Sequence, residues 1–154
     1  MRANALGGVS LTEAQGCLIV NMPEDVVDDT FAQLHEAVAQ RLIDSRLPAM
    51  ILDFSGVQIL DLHEFERIRK LARMADFLGV RVCVVAFNPG IAAFLAHSGA
   101  DTEGMQFSLL MEDAFHLVGS RRASPQKAFG IFLSRGSGAR LSGLLLLAHG
   151  EAGK

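Results

Sequence analysis

Tryptophan and tyrosine are absent from the 154 residues, and cysteine occurs twice. A patterned segment that is acidic, with no Trp or Tyr for bases to stack on and no basic patch, speaks against nucleic-acid binding. Cys17 and Cys83 each stand alone inside an apolar, strand-like run. That is the usage of a buried small hydrophobe in a reducing compartment, not of a disulfide framework or a zinc site, and a cytoplasmic protein is expected. Half of the residues are apolar, yet no run approaches the roughly 20 apolar residues that span a bilayer, so no membrane insertion is expected. The first eight residues lack an apolar core of signal-peptide length, which predicts no export. Enzyme signatures are missing as well. No phosphate-cradling Gly-x-x-x-x-Gly-Lys-Ser/Thr, no His-Glu-x-x-His and no Gly-x-Ser-x-Gly occurs. Asp61, His63 and Glu64 could form an acid/base cluster, but no nucleophile or substrate-binding feature accompanies them. The chain reads as a non-enzyme, with no cofactor and no metal expected.

The charge that is present is divided. The net charge of −3 hides 16 acids against 8 bases in residues 1–120, and one acid (Glu151) against 6 bases in residues 121–154. Composition changes at the same place, where Gly-, Ser- and Leu-rich sequence begins. This predicts a folded domain over 1–120 and a C-terminal extension over 121–154.

The strongest local pattern lies between Ala49 and Phe87. Ala49–Phe54 and Arg81–Phe87 are near-continuous apolar runs that read as strands. Between them Phe65, Ile68, Leu71, Ala72, Ala75 and Leu78 recur at helical spacing. Asp61 is placed as the N-cap, with Glu64 completing a capping box and Gly79 as the left-handed stop. Strand, crossover helix and strand make a βαβ unit with parallel neighbouring strands. Before it, Gly8–Thr12 and Gly16–Met22 read as strands with a turn over Glu13–Gln15. A helix opens at Pro23-Glu24-Asp25, with Val27, Phe31, Leu34, Val38 and Leu42 as its buried stripe and Arg41 and Arg46 suited to its C-terminal pole. After it, Asn88 caps a short helix with Pro89 at its first position and Ile91, Phe94 and Leu95 inward. Met105–Leu109 reads as a strand and Glu112–Val118 as a last helix, with Phe115 and Val118 inward. The expected class is α/β: a mostly parallel sheet of about four to five strands in the order ββαβαβαβα.

These residues carry a resemblance. Ile51-Leu-Asp-Phe-Ser-Gly-Val-Gln-Ile-Leu-Asp61, a helix ending in Phe77-Leu-Gly-Val80, and a strand followed by Asn88-Pro-Gly-Ile-Ala-Ala-Phe-Leu-Ala-His-Ser-Gly99 look like a STAS domain. Within that family the chain resembles the small anti-sigma factor antagonists of the stressosome. The resemblance covers about residues 8–119. It implies a binding module that captures a serine/threonine switch kinase or an anti-sigma factor, and it admits pairing with other STAS proteins or a second copy. In such domains the residue after the Asp is a phosphorylated Ser or Thr. A phosphate at a first helical position adds roughly −1.5 to −2 charges beside unpaired backbone N–H groups, which suits its own helix and repels a docked partner. Here that position is Leu62, which has no hydroxyl, and His63 and Glu64 follow. The resemblance therefore implies a docking face of Asp61, Leu62, His63, Glu64 and Arg67 without the usual phospho-acceptor, and leaves Ser55 as the nearby hydroxyl for a substitute phosphosite. A second reading uses the same face: an accessory STAS subunit of a membrane transport complex that binds an ABC-type ATPase.

Overall fold

The computed structural model describes residues 4–6, 8–24 and 28–119. The expectations for Asp25, for Val27 and for residues 121–154 lie outside the described residues, and Pro23 and Glu24, expected to open the first helix, are not helical. Three strands open the chain: β1 (Asn4–Leu6), β2 (Val9–Ala14) and β3 (Cys17–Asn21), each antiparallel to the next. Sequence reading finds two of them, because a three-residue strand is too short to show an alternation of period two. The β2–β3 turn is Gln15-Gly16, with φ of 51° and 74° and Ala14 paired to Cys17. Two left-handed residues make the tight hairpin whose twist matches the strands, one step later than the expected turn.

The rest alternates: α1 (Asp28–Ser45), β4 (Ala49–Asp53), α2 (Leu62–Phe77), β5 (Arg81–Val85), α3 (Pro89–His97), β6 (Met105–Ser108) and α4 (Met111–Gly119). The six strands lie side by side in chain order, and β3 through β6 are parallel. Right-handed crossovers that always step the same way along a sheet return on the same side. Accordingly α1, α2 and α3 share one face, where Phe31, Leu34, Phe65, Leu71, Ile91 and Leu95 pack on Leu18, Val20, Met50, Leu52, Val82 and Val84. The alternate strand residues Cys17, Ala49, Ile51, Cys83 and Val85 face the other way, against Ala114 and Val118 of α4. Both cysteines are buried and unpaired. Cys83 lies among apolar groups, and burial pushes its thiol up to about 11.

Four side chains depart from their sequence patterns. Leu78 is the C-cap of α2 rather than part of its stripe, and is 41% exposed. Phe94 is 44% exposed on α3 beside the buried Ile91 and Leu95. Arg41 donates to Glu13 Oε1 of β2 at 3.0 Å, a tertiary ion pair rather than a charge on the last turn, and Arg46 sits past the helix end at φ 50°.

Candidate functional site

The carboxyl ends of β3, β4 and β5 and the start of α2 meet at one end of the sheet. Phe54 directly follows β4, and its N–H donates to the Val85 carbonyl at 3.0 Å. Its ring packs edge-on against Phe87 at 5.2 Å, and Phe87 packs similarly against Phe107 at 5.5 Å. Burying rings like Phe54 and Phe65, each at most 1% exposed, contributes about 1.5–3 kcal/mol apiece and anchors the loop that follows. In that loop Val57 and Leu60 turn in, while Ile59 points to solvent at 81% exposure.

Asp61 then caps α2 in extended conformation. Its Oδ1 accepts from Glu64 N–H at 2.7 Å, and Glu64 Oε2 accepts from Asp61 N–H at 2.8 Å. Both carboxylates, expected at the docking face, are thus committed to the reciprocal cap, which satisfies two of the orphan donors of the helix start. Leu62 occupies the first helical position and is 42% exposed. His63 is exposed, and its Nε2 accepts a hydrogen bond from Arg67 Nη2 at 2.8 Å one turn on. The five expected residues therefore fall on one short arc. Ser55 is exposed on the same loop, and its N–H donates to Asp53 Oδ1 at 2.9 Å in a tight turn.

Sequence reading missed Ile59. Its spacing from Val57 suggests a shared side, and only the loop path sets the two apart. Ile59 also lines a cleft with Met22, Phe31, Phe54, Leu60 and Ile68, rimmed by Glu64 and Arg67. The cleft holds about 10 Å³ of free space, far below the roughly 300–1,000 Å³ of a small-molecule site. Its floor is filled by its own side chains, so what is left open to a visitor is exposed apolar side chains, Ile59 on the loop and Leu62 at the helix start. Among the described residues, no group of three or more His, Cys, Asp or Glu side chains is arranged to hold a metal ion. No helix among them is long and apolar enough to cross a membrane.

No protein-family model matches the sequence, and no curated protein is significantly similar to it. Solved structures do match in three dimensions. RsbS from Moorella thermoacetica superposes with a TM-score of 0.63 at 18% identity, over 73% of this chain and 95% of that one. The phosphorylated form of the Bacillus cell fate determinant SpoIIAA gives 0.53 at 13% identity, over 71% and 98%. The murine anion transporter Slc26a9 gives 0.59 at 22% identity, over 71% of this chain and 19% of that one. At these identities the likeness is one of fold, and it covers nearly the whole length of the two bacterial proteins. The described domain has the STAS fold, and it resembles the stressosome and anti-sigma factor antagonist structures.

Proposed function

We propose that this domain is a non-enzymatic signalling module of the anti-sigma factor antagonist or stressosome kind, which binds a switch kinase or anti-sigma factor through the start of α2. One observation carries the reading: Leu62, at the first helical position, is 42% exposed, and Ile59, three residues before it in the chain, is 81% exposed. Two large apolar side chains on a capped helix start form an anchor that a partner can bury, framed by the polar His63, Glu64 and Arg67. Apolar anchors inside a polar rim are where interface energy concentrates. The carboxylates here are held in the cap, which supports a structural role for them over acid/base work. Because Leu62 cannot carry phosphate, binding at this face is constitutive rather than switched at that position.

The reading is tested by comparing Leu62→Asp with Glu64→Gln. Native lysate is passed over immobilised full chain, the retained ATPase or anti-sigma factor is identified by mass spectrometry, and its affinity is measured by calorimetry. Leu62→Asp, which places a charge in a desolvated contact, should weaken binding by about ten-fold or more, and Glu64→Gln by much less. Wild-type affinity for Leu62→Asp removes this face from the proposal. Retention of an ABC-type ATPase would favour the transport-accessory reading, which draws on the fold shared with part of the murine anion transporter.

A further inference from the structure

β6 is the last strand of the sheet, and among the described residues nothing pairs with its outer side. The Ser108 carbonyl accepts a hydrogen bond from Ala86 N–H at 3.2 Å, on the inner side. Successive residues of a strand turn their amide and carbonyl to opposite sides, so Phe107 turns its pair outward. Edges of this kind are commonly guarded by lysine, proline or a bulge. Here the nearby side chains are apolar instead: Phe107 is 40% exposed, Leu109 76% and Leu110 60%.

The charge beside this edge has one sign. From Val82 to Gly119 the sequence holds no lysine or arginine. Arg69 and Arg73 of α2 reach across to Asp101, leaving Glu112 and Asp113 as exposed carboxylates in the first turn of α4, directly after Leu109 and Leu110. A two-fold contact between copies pairs this patch with its own equivalent, and no lysine or arginine between Val82 and Gly119 is present there to face Glu112 and Asp113. The complementary visitor is basic.

We propose that the open edge of β6 is a second docking site, which takes an extended segment of a partner polypeptide whose apolar side chains are flanked by lysine or arginine and adds it as a further strand. The Phe107 amide and carbonyl set its register, Leu109 and Leu110 cover its apolar side chains, and Glu112 and Asp113 select its charge. Main-chain bonds give such an added strand affinity, and side chains give it specificity. This site does not depend on the α2 face, so either can fail without the other.

The test uses the full chain and two capped peptides, Lys-Val-Lys-Ile-Lys-Val and its Glu-for-Lys counterpart, with amide exchange followed residue by residue by NMR. The lysine peptide should slow exchange at Phe107 by about ten-fold, since exchange reports protection of that one amide, and the glutamate peptide should not. The paired variant Glu112→Lys, Asp113→Lys should bind the lysine peptide about ten-fold more weakly than wild type. Leu109→Ala with Leu110→Ala alters only exposed side chains and should weaken binding as well. Four results each overturn the proposal: no protection at Phe107 from either peptide, equal protection from both, wild-type affinity in the charge-reversed variant, or Phe107 protection that grows with protein concentration when no peptide is present.

Discussion

In the proposed function, Leu62 is the single side chain that decides how the α2 face behaves. A hydroxyl at a first helical position can be phosphorylated in place, because the free N–H groups and the helix dipole accommodate the added charge. Leucine leaves the same geometry with nothing to modify. Incubation with ATP and the kinase recovered by the immobilised chain should add no phosphate to residues 55–64 by intact and peptide mass, and a stoichiometric phosphate on Ser55 would show that the switch has moved rather than vanished. Two other residues contribute to the pH range of stability, alongside Cys17, raised by burial, and Asp101, lowered first by the Glu103 backbone N–H. Burial pushes Cys83 up to about 11 from the ordinary 9.0, so above that ordinary value the unfolded chain releases a proton that the folded chain keeps. Stability is therefore full below 9.0 and is lost as pH rises toward about 11. His35 is shifted the other way, lowered from 6.5 first by burial and then by Lys70. Its contribution is full above 6.5 and is lost as pH falls. The urea midpoint should thus fall off on both sides of this window. Cys83→Ala should make the alkaline limb shallower and His35→Gln the acid one, and limbs unchanged in those variants would contradict the assignment.

At the scale of the element, α2 is closed at both ends by devices written in its own residues. Asp61 and Glu64 cap its start. At its end, Gly79 N–H donates to the Asp76 carbonyl and Val80 N–H to the Ala75 carbonyl, both at 2.9 Å, with Gly79 at φ 80°. This is the double-bonded left-handed stop that satisfies two trailing carbonyls. Asp61→Ala should destabilise by about 1 kcal/mol through the lost cap, and Gly79→Ala by about 1–2 kcal/mol through a left-handed Cβ. Thermal melts measure both. The cap variant carries a second readout, because a frayed first turn misplaces Leu62: its partner affinity should fall along with its midpoint, while Gly79→Ala, at the far end, should leave affinity unchanged. Equal affinity losses for the two would mean that the start of α2 is not the contact.

For the whole molecule, the six-stranded sheet has helices on both faces, and two apolar clusters fill the space between layers. A domain with both faces covered by its own helices has the core it needs. On that ground we propose that residues 121–154 are separable from the fold. A chain ending at residue 120 should melt within about 2 °C of the full chain, which is well under 1 kcal/mol for a domain of this size. A drop of many degrees, or a change of mass by light scattering, would place the boundary elsewhere.

Much of this architecture follows from chain-local chemistry. A capping box spans three residues, and a glycine stop and the spacing of an apolar stripe span a few more, so Asp61, Glu64, Gly79 and the run from Phe65 to Ala75 announce α2 without help from the rest of the chain. The parallel pairing of β4 with β5 follows because a helix between two apolar strands has one favoured hand of return. What periodicity cannot supply is the cover. Leu78 and Phe94 match their stripes, yet stay 41% and 44% exposed because the elements around them cover them only in part. Arg41 meets Glu13 across 28 residues of sequence, a pairing set by how α1 lies on β2. Ile59 turns outward because Val57 and Leu60 on either side are drawn into the core. Sequence by itself determined the class of fold, the order of its main elements and the capped start of α2. Tertiary structure alone decided which apolar side chains remain on the surface there and along β6, because exposure depends on neighbours brought from distant parts of the chain.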